Sequence, residues 1–179
     1  MSYLVRFAST AQDLDAGYAL RRAVFETAQN IPRPLDRDPY DYSADHVVAL
    51  DAQGRCVGTG RIVRLDARTA QVGRMAVAKE VRKSGVGALV LDALERMAAM
   101  RGLSDVVVAS QLPAESFYRN RGFARQGEPF LDQGVPHVTM KKTLSSRWAP
   151  SSATTPRRGA SWGCGPRGRT SARPRRRPS

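Results

Sequence analysis

Apolar and polar positions along residues 1–144 alternate between two periods. Leu4-Val5-Arg6-Phe7 is a short strand pattern. From Asp13 onward Leu14, Tyr18 and Phe25 recur at helical spacing, which predicts a helix ending near Gln29-Asn30 with Arg21 and Arg22 on its solvated face. Residues 31–41 hold three prolines and three aspartates and predict a loop. Residues 46–50 and 55–63 flank the turn Asp51-Ala52-Gln53-Gly54, a hairpin signal, and 70–78 predict a further strand. The longest helix follows, where Val86, Leu89, Val90, Ala93, Leu94, Met97 and Ala98 form one broad apolar face before Gly102 stops it. Val106-Val107-Val108-Ala109 predicts a strand covered on both faces. A short helix around 114–120 ends at Gly122, and 135–142 predict the last strand. The order β-α-β-β-β-α-β-α-β predicts a mixed α/β domain with helices covering a central sheet.

Beyond residue 144 the pattern stops. Residues 145–179 contain nine arginines, no acidic residue and no Leu, Ile, Val, Met, Phe or Tyr. Such a segment has too little apolar surface to offset an ordering cost of about 1–2 kcal/mol per residue, so disorder is expected there. The chain therefore divides into a domain, 1–144, and a basic tail, 145–179. The tail reads either as an arm that adheres non-specifically to nucleic acid, or as translation past a shifted frame, since all its residue types have GC-rich codons. We favour the second reading.

The tail also accounts for the charge. The whole chain carries +13, but residues 1–144 hold 20 basic and 16 acidic side chains, an ordinary balance for a soluble domain. No apolar run approaches a membrane span, and the N-terminus has no secretory pattern. Cys56 and Cys164 make neither a disulfide framework nor a zinc site. Two histidines and dispersed carboxylates offer no metal ligand set, so no metal is expected. These features predict a cytoplasmic protein, monomeric or homodimeric, with no membrane partner.

The stretch with chemical content is Val72 to Leu89, in which a strand runs into Arg82-Lys83-Ser84-Gly85-Val86-Gly87 and directly into the long helix. The first amides of a helix lack internal partners, and the helix dipole favours an anion there. Gly85 and Gly87 allow close approach to the backbone, and Arg82 and Lys83 add charge. The pattern suits a pyrophosphate, although a glycine turn that merely allows tight strand–helix packing would look the same. It lacks the spacing of a nucleotide P-loop.

Arg82 to Gly87 resembles the Arg/Gln-x-x-Gly-x-Gly/Ala signature of the GNAT N-acetyltransferases, and Phe117-Tyr118-Arg119-Asn120-Arg121-Gly122-Phe123 is similar to their Phe-Tyr-x-x-x-Gly-Phe segment, with Gln111 and Ala114 just ahead. The N-terminal half resembles the ElaA/YjcF-like subgroup through Arg22-Ala23-Val24-Phe25, Gln29-Asn30-Ile31-Pro32, the segment 35–41 and His46. Gly127 to Met140, with Gly134-Val135-Pro136-His137, resembles its closing strand. Ala28 and Arg37 stand where that subgroup usually has Glu and an aromatic.

The resemblance implies a GNAT fold, with a mixed, mostly antiparallel sheet flanked by helices. It also implies direct acetyl transfer from acetyl-CoA to a primary amine of a small molecule, such as an amino sugar or polyamine. The alternatives are a protein lysine or N-terminal acetyltransferase and a CoA-binding regulatory module. Met75, Ala76 and Val77 would meet the pantetheine, Arg82, Lys83, Ser84, Gly85, Val86, Gly87 and Ala88 the pyrophosphate, and Gln111 would also contact the donor. Tyr118 is the expected general acid, with His46 and His137 as candidate bases. Asp36, Asp38 and Asp41 could attract a cationic amine or simply make turns, and Glu26 lies beside them on the helix.

Overall fold

The structure, a computed structural model, describes residues 2–29, 37–132 and 134–145. The basic tail and Asp36 lie outside the described residues, as does the side chain of Glu26. The elements are β1 (Leu4–Phe7), α1 (Ala11–Gln29), a 3-10 turn (Pro39–Tyr42), β2 (Asp45–Leu50), β3 (Cys56–Arg64), β4 (Thr69–Val77), α2 (Val86–Met100), β5 (Asp105–Gln111), α3 (Glu115–Arg119), β6 (Ala124–Asp132) and β7 (Val135–Thr143). Seven strands form one sheet in the order β1-β2-β3-β4-β5-β7-β6. Only β4 and β5 run parallel, because α2 crosses between them; the other neighbours are antiparallel.

One strand is absent from the sequence pattern. All nine residues of β6 are exposed, so it has no buried face to impose a two-residue period, and Gly127 and Pro129 are residues that interrupt strand patterns. It is held instead by pairing with β7 from Ala124↔Lys141 to Asp132↔Val135, interrupted by a bulge between Gln126 and Phe130.

The core lies between the sheet and α2. Val90, Leu91, Leu94 and Ala98 of the helix are fully buried against Val47, Ala49, Val72, Val106 and Val138. Each valine or leucine buried this way contributes about 1.5–3 kcal/mol. Leu89, expected on the apolar face, is 39% exposed, because the helix packs through the 86-90-94 row and Leu89 projects beside it. Two glycines of β3 let α2 approach. A Cβ on Gly58 would stand 2.5 Å from Val86 Cγ1, and one on Gly60 would stand 2.9 Å from Leu94 Cδ1. A side chain at Gly58 would press on Val86 in the first turn of the helix and disturb its seat on the sheet.

Helix α1 covers another part of the sheet and overturns one expectation. Arg21 is 1% exposed rather than solvated. Its guanidinium donates from Nη1 and Nη2 to the two oxygens of Asp41 at 2.8 and 3.0 Å, so the helix turns this cation inward to a carboxylate 20 residues away. Helical spacing marks which face a residue occupies, but it does not reveal a distant counter-charge. Arg22 is exposed.

Candidate functional site

The cleft begins where the parallel pairing of β4 with β5 stops. β4 and β5 are in register from Thr69↔Asp105 to Val72↔Val108, and then they separate. Residues 73–77 and 109–111 continue as strands and become opposite walls of a cleft of about 1000 Å³. On its other side β4 stays paired with β3 as far as Gly58↔Val77. Its β5-facing backbone groups past Val72 therefore have no ladder partner and are available to an extended ligand. A bulge sharpens the separation: Gly60 of β3 faces both Arg74 and Met75, between Arg61↔Gly73 and Thr59↔Ala76. Arg74 takes φ 52 to accommodate the extra residue.

At the wide end of the cleft lies the start of α2. The loop before it passes through left-handed conformations at Lys83 (φ 66) and Gly85 (φ 92). Residues of this kind turn successive amides toward one concave surface. The first bond into the helix runs from Leu89 N–H to Gly85 O at 3.1 Å, which leaves the amides of Val86, Gly87 and Ala88 without intrahelical acceptors. Gly87 faces the cleft, and a Cβ there would find ordinary contacts of 3.6–3.7 Å with Val77 and Phe117. Packing therefore does not demand glycine at 87, and its missing side chain leaves the helix mouth open.

The residues expected at this loop divide by direction. Arg82, Lys83, Gly85, Gly87 and Ala88 line the cleft, as do Met75, Ala76, Val77 and Gln111. Ser84 turns away: its hydroxyl donates to Val81 O at 2.6 Å and accepts from Tyr3 at 3.2 Å. Val86 is 1% exposed, and its side chain belongs to the core.

Tyr118, on α3, reaches the narrow part of the cleft. Its hydroxyl lies 3.5 Å from Met75 Sδ, and its ring packs edge-on against Phe117 and Phe123. Burial pushes the phenol up to about 12, so it stays protonated at neutral pH.

The two histidines have different surroundings. His46 is buried on β2, edge-on to Tyr18, with Nε2 3.1 Å from the Asp41 carbonyl oxygen. Burial holds it below the usual imidazole range against the opposing pull of Asp41, and it does not line the cleft. His137 does line the cleft, on β7 opposite Gln111. Its Nδ1 is 2.8 Å from Val135 O. A carbonyl only accepts, so Nδ1 carries a proton toward Val135, which leaves Nε2 as the ring nitrogen able to take up another. Phe130 of β6 stacks on the ring at 6.0 Å and fixes its plane.

The acidic loop is locked onto the sheet by arginines. Asp38 caps the 3-10 turn, accepting from Tyr40 N–H at 2.9 Å, while Asp38 N–H donates to Asp41 Oδ2. Arg61 of β3 donates to both oxygens of Asp38 at 2.6 and 2.8 Å, and Arg74 adds a bond at 2.7 Å. Burial alone would raise this carboxyl, but the two guanidiniums outweigh it and hold Asp38 well below the usual range. Asp41 is similar: burial is overcome by hydrogen bonds from Arg21 and Arg61, and the carboxyl is depressed. Asp38 lines the cleft, whereas Asp41 sits behind it with its oxygens engaged. Arg61 and Arg74 also line the cleft, and sequence reasoning passed over both. Arg61 sits in a Gly-Thr-Gly-Arg strand and Arg74 beside a bulge that no residue pattern announces. Among the described residues no cluster of His, Cys, Asp and Glu could hold a metal ion. No described helix is long and apolar enough to cross a membrane.

Comparison with known proteins agrees with this geometry. Residues 14–144 match the family described as Acetyltransferase (GNAT) domain. The chain is 33% identical over 136 residues to the uncharacterized N-acetyltransferase YjcF of Bacillus subtilis, covering 75% of this chain and 96% of that protein. The crystal structure of Escherichia coli ElaA superposes with a TM-score of 0.68 at 22% identity, covering 79% of this chain and 99% of ElaA. A GNAT family acetyltransferase from Elizabethkingia anophelis, solved with acetyl-CoA bound, superposes with a TM-score of 0.58 at 16% identity, covering 79% and 98% of the two chains.

Proposed function

The chain belongs to the GNAT acetyltransferase family, in its ElaA/YjcF-like group, and from that premise we propose that it transfers an acetyl group from acetyl-CoA to the primary amine of a small molecule. The observation that carries the reading is the cleft between β4 and β5, which joins unpartnered strand backbone to an open helix mouth. That arrangement fits an extended thioester carrier with an anionic diphosphate at one end. The β4 backbone from Met75 to Val77 would pair with the pantetheine as an added strand does, with Gln111 on the facing wall. The amides of Val86, Gly87 and Ala88, with Arg82 and Lys83, would hold the diphosphate.

Bound there, acetyl-CoA supplies an acyl carbon already activated as a thioester. A backbone N–H near Met75–Ala76 serves the developing oxyanion, worth about 3–4 kcal/mol for one such donor. The amine must first lose a proton, which costs about 5 kcal/mol at pH 7 for an ordinary alkyl ammonium. His137 Nε2 is the acceptor for that proton, because Nδ1 is engaged with Val135 and the ring faces the cleft. His46 serves as a structural anchor for the acidic loop. As the C–N bond forms and the C–S bond breaks, Tyr118 donates a hydrogen bond to the sulfur. Handing its proton over completely, from about 12 to a thiolate of ordinary pKa near 8.5, would be uphill by about 5 kcal/mol. The thiolate therefore draws its final proton from solvent, and the amine releases one.

The test is thiol release by the purified full chain with acetyl-CoA and a panel of primary amines, alongside calorimetry with acetyl-CoA alone. Binding heat and amine-dependent thiol release are the expected results. Correctly folded protein that gives no heat would overturn the reading.

A further inference from the structure

Among the described residues, the acceptor side of the cleft holds more guanidinium than the carboxylates of Asp38 and Asp41 can pair one to one. Arg21, Arg61 and Arg74 share Asp38 and Asp41. Asp41 takes Arg21 in a paired bond and a contact from Arg61 as well. Asp38 takes Arg61 in a paired bond and Arg74 on one oxygen. Among the described residues of this network, three guanidiniums meet two carboxylates, an excess of one cation.

That surplus lies at Arg74. The side chains of Arg21 and Arg61 are 1% and 10% exposed, whereas that of Arg74 is 26% exposed and lines the cleft. Arg74 turns Nη2 and Nε to Asp38 at 2.7 and 3.3 Å. Among the described residues nothing accepts from its Nη1. The backbone points the same way. Apart from glycines, the described residues with positive φ are Arg74 and Lys83, and a left-handed conformation is strained for a residue that bears a side chain. Strain of this kind persists where ligands are held, and a bulge redirects a side chain that a regular strand would aim elsewhere. Asp132, at the end of β6, lines the same cleft and has no ion-pair partner among the described residues.

Building on the N-acetyltransferase reading above, we propose that the acceptor is an amine that also carries a carboxylate. The carboxylate sits on Arg74, and the ammonium is drawn to the wall formed by Asp132 and His137. The guanidinium of Arg74 keeps N–H donors on its Nη1 side for a carboxylate, and a zwitterion complements a surplus guanidinium facing a carboxylate across the cleft. A polyamine or amino sugar would instead bring an uncompensated cation to Arg74.

The test uses the full chain saturated with acetyl-CoA and three matched pairs: glycine, phenylalanine and β-alanine, each against its own amide. Thiol release gives kcat/KM, and calorimetry on the CoA complex gives affinity even where turnover is slow. At least one acid is expected to exceed its amide by about tenfold or more, a difference of about 1.4 kcal/mol. In Arg74→Gln that preference should fall to about threefold or less through KM, with acetyl-CoA affinity unchanged, and Arg74→Lys should recover part of it. The proposal is overturned if amides match or beat the acids throughout, if no acid binds or reacts while CoA binds, or if the preference survives in Arg74→Gln. Should Arg74→Gln not fold, the ratio in the unaltered protein still decides. Loss of acetyl-CoA binding in the unaltered protein would strike the donor reading instead.

Discussion

The two ends of the cleft are built from different materials. At the helix mouth the working groups are backbone amides, and the sequence need only supply glycines, a helix start and two cations. At the acceptor end the working groups are side chains from α1, the acidic loop, β3 and β4, held in one hydrogen-bonded charge network. Backbone recognition tolerates any side chain that stays out of the way, so it suits a carrier of constant shape. A network of paired charges has no such tolerance, and in the proposal above it selects the acceptor. The contrast makes a physical claim: the donor end should be sensitive to added bulk, and the acceptor end to lost charge.

The largest effect expected from that contrast is in stability. Asp41→Ala leaves Arg21 and Arg61 buried without one of their carboxylates, and breaking such a pair costs about 3–5 kcal/mol. Urea denaturation checks this, and a loss below about 1 kcal/mol would mean the network behaves like an exposed one. Next comes bulk at the helix mouth. Gly87→Leu fits sterically at its Cβ but fills the space before the free amides, so acetyl-CoA affinity should fall about a hundredfold, or about 2.7 kcal/mol, with the melting temperature nearly retained. Calorimetry and a thermal melt on one preparation separate the two.

Tyr118→Phe removes one neutral hydrogen bond to sulfur, so kcat should drop about tenfold while acetyl-CoA affinity stays put. An unchanged kcat would take Tyr118 out of the chemistry. The smallest effect is in the pH dependence of stability. Burial lowers His46 in the folded state, so the unfolded chain binds the extra proton and stability falls as pH drops below about 6.5. Asp38 and Asp41 are depressed when folded, so their contribution is present above their ordinary pKa of about 3.9 and is lost as pH falls below it. Urea midpoints against pH should therefore decline in two phases, and His46→Gln should abolish the upper one alone.

The same contrast explains what could be read from the residues. Helix α2 was visible because Val86, Val90, Leu94 and Ala98 repeat on one face, and the open mouth because Gly85 and Gly87 adjoin two cations. Strand β6 was hidden because pairing alone holds it, without a buried face. Helical spacing points Arg21 to solvent, because nothing near it in the chain reveals Asp41. The choice between His46 and His137 could not be made either, since it depends on which one faces the cleft.

The residues alone specify the helices and all the strands but β6, and the basic, glycine-rich loop that opens α2. Those are local properties, dictated by backbone freedom and by apolar residues close along the chain. Only the tertiary structure decided where β4 parts from β5, which histidine meets the cleft, and that three arginines converge on two aspartates. Each of those depends on distant segments meeting, and a charge acquires its partner, its burial and its function only when they do.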